Sequence, residues 1–150
     1  MACWRFSRYP RRRRIRNPAQ RLAAAARAYV RFASDQRPLF QALAGSGLDK
    51  SRHPEVERAA QAVGMAFLSP AARLVNGDER AAARLTSVIV ATAHGHAMLM
   101  LDGTFGSGHH AAEAAAEQAA AATLALIAGQ ESLTGRAGQV AAGDSVIDPS

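Results

Sequence analysis

The chain has 150 residues, is 49% hydrophobic and carries a formal net charge of +6 at pH 7. This length suits one domain with a sizeable core and is too short for two ordinary domains. The positive charge is concentrated at the start, because seven of the 18 Lys and Arg residues precede Asn17 and the eleven that follow meet all 12 Asp and Glu. The body of the protein is therefore nearly neutral, which excludes a general attraction for nucleic-acid phosphates outside the first 16 residues.

The cysteine content and the hydropathy of the chain indicate in which cellular compartment it is expected. The chain has a single cysteine, Cys3, so it has neither an intramolecular disulfide framework nor a CxxC spacing, and we expect a reducing cytoplasm. No stretch approaches the roughly 18 consecutive apolar residues of a membrane span, and no apolar segment typical of a signal peptide follows the arginines. We therefore expect a cytoplasmic protein with no membrane partner.

Residues 1–16 combine arginines with Trp4 and Tyr9 and show no helical or strand period, which predicts a disordered basic segment. Such a segment would bind nucleic acid nonspecifically by releasing counterions, with the aromatic rings stacking on bases. A nucleic-acid-binding protein acting through this segment is our second functional hypothesis, and membrane-surface binding or a misassigned start codon are alternatives. The residues expected to carry it are Arg11, Arg12, Arg13 and Arg14.

The first half of the body predicts three helices. Asn17 followed by proline is a helix start, and apolar residues at three- and four-residue spacing extend this helix to about Ser34, with its arginines mainly on the opposite face. A short second helix should end at Gly45, since glycine accepts a left-handed C-cap. A third begins at Pro54, and Pro70 should kink or break it, leaving a further short helical piece.

The second half predicts two long helices. The longest periodic stretch runs from Arg80 to about Leu101, and a glycine-rich connector leads to a final helix from His109 to about Ala128, in which alanine fills eleven of the positions from 111 to 128. The three shorter helices cannot cover both, so we expect a second copy to pack against them as a four-helix interface. The residues expected in this interface are Leu99, Ala112, Ala115, Ala119, Ala122 and Leu126.

The segment around Gly95 is the most informative in the chain. His94 and His96 lie two residues apart, so on a helix they point roughly 200° apart and cannot ligate one metal. One should be a hydrogen-bonded core residue and the other should face a partner helix, with ligand contact as the alternative. Gly95 costs about 1 kcal/mol relative to alanine in a helix, so it should permit a close helix approach or leave room for a ligand.

Methionines and aromatic residues at helical spacing indicate either an adaptable apolar cavity or simple core packing. The residues expected to line such a cavity are Phe40, Val63, Met65, Phe67, Val90, His94 and Met98. No nucleophile elbow, HExxH motif or P-loop is present, because the glycines of residues 103–108 follow a helix and lack the Lys-Ser/Thr pair. We expect a protein that is not an enzyme and has no cofactor or metal.

Two segments, AQRLAAAARAYVRFASDQRPLFQALAG and ATAHGHAMLMLDGTFG, resemble the C-terminal domain of TetR/AcrR-type transcriptional regulators, specifically the subgroup with a Trp-His-Gly signature. The match rests on Pro38-Leu39-Phe40, on His94-Gly95 and on Asp102-Gly103, whereas the signature tryptophan would fall near Val90. The resemblance covers roughly residues 17–129. It implies a homodimer through the last two helices and an effector pocket formed by the helices before them.

From residues and resemblance together we expect an all-α protein with a TetR-like bundle of five to six helices over residues 17–129, preceded by the basic segment 1–16 and followed by a disordered tail, 130–150. The expected function is an effector-binding and dimerisation domain of a TetR-family transcriptional repressor, taking a small apolar effector. The first 16 residues are too short for a helix-turn-helix, so we expect a truncated chain that meets DNA only through a missing or separate head. Pairing with a full-length relative is the alternative to a homodimer.

Overall fold

The computed structural model describes residues 17–45 and 52–143, with side chains described up to Gln130. These residues form a bundle of five helices, α1 (Pro18–Asp35), α2 (Arg37–Ala44), α3 (Pro54–Leu74), α4 (Glu79–Leu101) and α5 (His109–Gly143). No strand occurs in the described ranges, and the predicted all-α class is confirmed. The arginine run of residues 11–14 and the last residues of the expected tail, 144–150, lie outside them.

The helix starts follow the local sequence signals. The side chain of Asn17 accepts a hydrogen bond from the Ala19 amide at 2.9 Å, and that of Asp78 accepts one from the Ala81 amide at 2.9 Å. Each carboxamide or carboxylate oxygen thereby satisfies a first-turn amide that has no partner within its helix. None of the helices in the described part combines the length and apolar character that a membrane span requires.

Three helix boundaries differ from the sequence-based expectation. Gly45 ends α2 in an extended conformation, with φ −69° and ψ 133°, and not in the left-handed region. The third helix continues through Pro70, which is buried on the same face as Phe67 and Ala71, and this burial offsets the lost backbone hydrogen bond. α5 continues to Gly143, because each residue added to an existing helix forms one more backbone hydrogen bond.

The core is built on the antiparallel packing of α1 against α5. Small side chains from both helices are buried at this contact, so the two backbones can approach closely. Those on α1 are Ala23, Ala26 and Ala33, and those on α5 are Ala112, Ala115, Ala116 and Ala119. Larger side chains complete the core, with Leu22 and Val30 from α1 and Leu85 and Ile89 from α4.

Two arginine–glutamate pairs flank this alanine contact. Arg27 donates from Nε and Nη2 to both carboxylate oxygens of Glu117 at 2.6 and 2.8 Å, and Arg31 donates in the same way to Glu113 at 2.9 and 2.6 Å. The partners lie one turn apart on each helix, which fixes the antiparallel register. The sequence predicted that these arginines lie mainly on the face of α1 opposite the core. Because small alanine side chains let α1 and α5 approach closely, the arginines nevertheless reach the glutamates of α5.

The ion pairs should make the stability of the fold fall in acid. Hydrogen bonds from Arg31 and Arg27 hold the pKa values of Glu113 and Glu117 below their usual range. A carboxyl group with a lowered pKa contributes stability that is present above its unfolded pKa, about 4.3, and is lost as the pH falls through its folded value. We expect the urea midpoint of the wild type to fall below about pH 4.3 more steeply than that of Glu113→Gln/Glu117→Gln.

Arg21, on the same helix, provides the control, because the pairs described above do not involve it. Arg21→Ala should leave the acid dependence of the urea midpoint unchanged. Equal acid sensitivity in the wild type and in the double glutamine variant would show that the Arg–Glu pairs do not couple α1 to α5.

Candidate ligand site and interaction face

Aromatic side chains of α1, α2, α3 and α4 meet in the core of the bundle. The ring of Tyr29 meets Phe40 edge-on at 5.5 Å and Phe67 edge-on at 6.0 Å, measured between centroids. His94 stacks on Phe40 at 5.6 Å with an interplanar angle of 27°. Phe32 meets Phe40 edge-on at 6.3 Å. Four helices thus converge on one set of rings, which we call the aromatic cluster.

The aromatic cluster contains a polar pair. The Tyr29 hydroxyl and His94 Nδ1 are hydrogen-bonded at 3.1 Å, and the histidine tautomer decides which group donates. Burial raises the pKa of Tyr29, so its hydroxyl stays neutral at physiological pH. Because the Tyr29 hydroxyl is bonded to His94 Nδ1, the second ring nitrogen of His94 remains a further position that can form a hydrogen bond.

The structure brings together three of the seven residues predicted to line a cavity. Phe40 and Phe67 are each only 1% exposed and both belong to the aromatic cluster with His94. Val63 and Val90 are half-buried and pack against the same core. Contacts between rings therefore join three of the predicted residues, whereas Val63 and Val90 are shown only to pack against the common core.

The two predicted methionines lie apart from this region. Met65 is 59% exposed and Met98 is 39% exposed. Met65 precedes Phe67 by two residues, so it points about 200° away around α3. Met98 lies one turn beyond His94, but its side chain remains partly exposed although the adjacent Ala97 is fully buried. As it stands, the structure places neither side chain in the buried cluster.

Sequence reasoning did not single out Tyr29 or Thr86 as site residues. A tyrosine on a buried helical stripe requires a partner for its hydroxyl, and the predicted stripe of α4 contained His96, whereas the partner in the structure is His94. Thr86 shares a face of α4 with Val90 and His94 at four-residue spacing, and its Oγ1 is buried without a hydrogen-bond partner. No pattern in the sequence distinguishes this threonine from Thr92, whose hydroxyl donates to the Val88 carbonyl at 2.9 Å.

The two histidines of α4 have separate surroundings, as their spacing predicts. His96 Nδ1 donates to the Thr92 carbonyl at 2.8 Å, and its ring stacks on Phe105 at 6.2 Å. Phe105 lies in the connector between α4 and α5, so His96 contacts its own chain. Across the described ranges, no group of three or more His, Cys, Asp and Glu side chains is arranged to hold a metal ion.

The described residues leave an apolar face of α4 and α5 exposed on their outer side. Val88 and Leu99 of α4 are 49% and 44% exposed. A groove of about 570 Å³ lies between the two helices, lined by Leu85, Val88, Ala122, Ala125, Leu126, Gly129 and Gln130. A Cβ atom built on Gly95 would meet no atom of the described residues within 4 Å, so nothing in that part of the chain requires glycine there. We call this surface the α4–α5 outer face.

The structure corrects part of the predicted dimerisation set. Ala112, Ala115 and Ala119 are 4%, 0% and 0% exposed within a single chain, because the predicted stripe of α5 packs on α1. These three side chains are therefore not available to a second copy. Leu99, Ala122 and Leu126 lie on or beside the α4–α5 outer face, so that half of the set stays a prediction. The expectation that no other helix shields α5 was wrong on its α1 side.

Tyr29→Phe tests the polar pair. The substitution keeps the ring contacts and removes the hydroxyl, leaving His94 Nδ1 without its partner. We expect a loss of about 0.5–1.5 kcal/mol in the free energy of unfolding, measured by urea denaturation. Thr92→Val, which removes a hydroxyl outside the cluster, should cost less. An unchanged stability in Tyr29→Phe would mean that the 3.1 Å contact contributes nothing to the fold.

Comparison with protein families adds an independent result. Residues 22–126 match the family described as "Tetracyclin repressor-like, C-terminal domain". Searches of curated proteins and of solved structures found no match. The matched range begins within α1 and ends within α5, and so contains the aromatic cluster and most of the α4–α5 outer face. On this match and on its all-helical bundle, the chain belongs to the family of tetracyclin repressor-like C-terminal domains.

Proposed function

We propose that this chain is the effector-binding and dimerisation domain of a TetR-type transcriptional regulator. The observation that carries the proposal is the family match over residues 22–126, which supports an effector-binding and dimerisation role in general. In such a regulator the effector shifts the population between a state competent for DNA and a released state, and it must bind one of them better. A helix-turn-helix, and not the helices described here, would contact DNA.

The proposed effector site is the aromatic cluster. It is the place where four helices meet around a polar pair, Tyr29 and His94, in otherwise apolar surroundings. A small apolar ligand bound there would gain from burial of its surface, and the few polar groups would orient it. The unpartnered Thr86 Oγ1, on the same face of α4 as His94, supports a ligand that carries a hydrogen-bonding group.

The proposed pairing surface is the α4–α5 outer face. Val88 and Leu99 would be covered by the same helices of a second copy, giving a four-helix interface. Gly95 lies between them on α4, and its open side allows a partner helix to approach the backbone. This arrangement accounts for a glycine that costs stability in the middle of a long helix.

Light scattering coupled to size-exclusion chromatography tests the pairing surface. We expect a dimer for the wild type. Val88→Arg and Leu99→Arg should weaken it at least about tenfold, because a charge would be buried without a partner. Met65→Arg, at an exposed apolar position on α3, is the matched control and should stay dimeric.

Gly95→Ala gives a subtler version of the same test. The added methyl group meets no atom of the described part of its own chain. It should stabilise α4 within the monomer by about 1 kcal/mol and weaken dimerisation. A wild-type monomer at high concentration, or dimers in all the arginine variants, would contradict this pairing surface.

Thermal denaturation with added probes tests effector binding. A compound that binds the native domain at ten times its Kd stabilises it by about 1.4 kcal/mol. We expect a rise in Tm with decanol or β-naphthol, as aliphatic and aromatic apolar probes. His94→Ala should lose the rise and His96→Ala should keep it, since His96 lies outside the cluster. If neither probe raises the Tm of the wild type, the aromatic cluster is not a site for small apolar ligands.

A further inference from the structure

α2 is attached to the bundle by one deeply buried side chain. It has eight residues, no side-chain cap at its start, and Phe40 as its buried residue. It is bounded by Gln36, with φ −126° and ψ 47°, and by the extended Gly45, so it continues neither α1 nor a following helix. By contrast, the 21-residue α3 buries Val56, Phe67, Pro70 and Ala71. Leu39, Ala42 and Leu43 are only half-buried, so removing Phe40 from the core would weaken the attachment of α2 while α3 kept several fully buried anchors.

The Phe40 ring occupies the place that an aromatic ligand of the cluster would take. It stacks on His94 at 5.6 Å and meets Tyr29 and Phe32 edge-on, which are the arrangements that aromatic rings prefer. The Phe40 ring is 1% exposed and covers one face of the His94 ring. A ligand that stacks on that face of His94 must therefore displace Phe40.

We propose that the effector is an uncharged aromatic molecule that takes the place of the Phe40 ring on His94 and thereby releases α2 from the bundle. The inference rests on the proposed effector site and specifies both the ligand class and the structural response. Phe40 acts as an internal competitor, and the apparent affinity for the ligand is reduced by the fraction of molecules in which Phe40 is in place.

The surroundings of His94 define the ligand class. Phe40 and His94 contact one another, both contact Tyr29, and Phe40 also contacts Phe32. None of these side chains carries a fixed charge. A charged ligand would be buried there without a partner, which is costly. A flat ring replaces the stacked contact that Phe40 makes, whereas a saturated ring of equal size does not. One hydroxyl on the ligand can form a hydrogen bond with the second nitrogen of His94.

The experiment compares three matched probes on the full chain, β-naphthol, its saturated analogue decahydro-β-naphthol and the anion β-naphthoate. Calorimetry should show the tightest binding for β-naphthol, by about tenfold or more over the other two. Amide hydrogen exchange should show that β-naphthol raises the exchange rates of residues 37–44, although a ligand that simply fills a pocket slows exchange in the elements around it. Loss of protection in α2 on binding is the result specific to displacement.

Variants of the two buried phenylalanines separate displacement from cavity filling. Phe40→Leu removes the competing ring and keeps an apolar anchor, so it should bind β-naphthol at least about tenfold more tightly than the wild type. Phe67→Leu makes a similar change in volume on α3, and because Phe67 is a wall of the site and not a competitor, it should bind no more tightly than the wild type. Both leucine variants avoid the larger loss of stability expected for alanine.

Several results would overturn the inference. Weaker binding of β-naphthol to Phe40→Leu would make Phe40 a wall of the site, and equal tightening in both variants would indicate cavity filling. Slower exchange of residues 37–44 in the presence of β-naphthol would exclude the release of α2. If decanol raises the Tm of the wild type while β-naphthol does not bind, the ligand class is wrong and the proposed effector site stands; if neither binds, the effector site itself fails.

Discussion

The packing of α1 against α5 is the constraint on which the rest of the structure depends. Alanines on both helices make the contact thin, and the bidentate pairs of Arg27 with Glu117 and Arg31 with Glu113 fix its direction and register. Surface ion pairs contribute little free energy singly, but here they select one antiparallel alignment among those that two alanine-rich helices would otherwise permit. α1 also contacts α2, α3 and α4, so its alignment on α5 positions the whole bundle.

The two functional regions are connected by the helices that build them. α1 carries Arg27 and Arg31 toward α5 and Tyr29 toward His94, so the ion pairs and the aromatic cluster are held by neighbouring turns of one helix. α4 carries His94 toward the cluster and Gly95, the next residue, toward the α4–α5 outer face. Any change of packing around His94 therefore acts on the same helix, α4, that forms part of the α4–α5 outer face. The two regions are separated by about the width of one helix.

The two ends of the aromatic cluster differ in how firmly they are held. Phe67 sits in a long helix with several other buried residues, whereas Phe40 sits in a short helix with no other buried anchor. Elements with few buried apolar contacts open at lower free energy than the core around them. The bundle thus combines a frame of α1, α4 and α5 with one small element in which Phe40 is the only fully buried side chain.

The sequence by itself determined the class of fold, all five helix starts to within a residue, and the separation of the two histidines, because capping residues and helical periodicity act locally. It also predicted Phe40, Phe67 and His94 among the residues of a ligand pocket, and these three side chains lie in the aromatic cluster, while their role in ligand binding stays a prediction. Only the tertiary structure decided which face of α5 packs on α1, and this removed Ala112, Ala115 and Ala119 from the predicted interface. An alanine-rich helix has nearly equivalent faces, so its periodicity cannot indicate which of them packs on α1. In the structure the packed face is the one that pairs Glu113 and Glu117 with arginines 82 and 90 residues away along the chain, a long-range contact that local spacing does not encode.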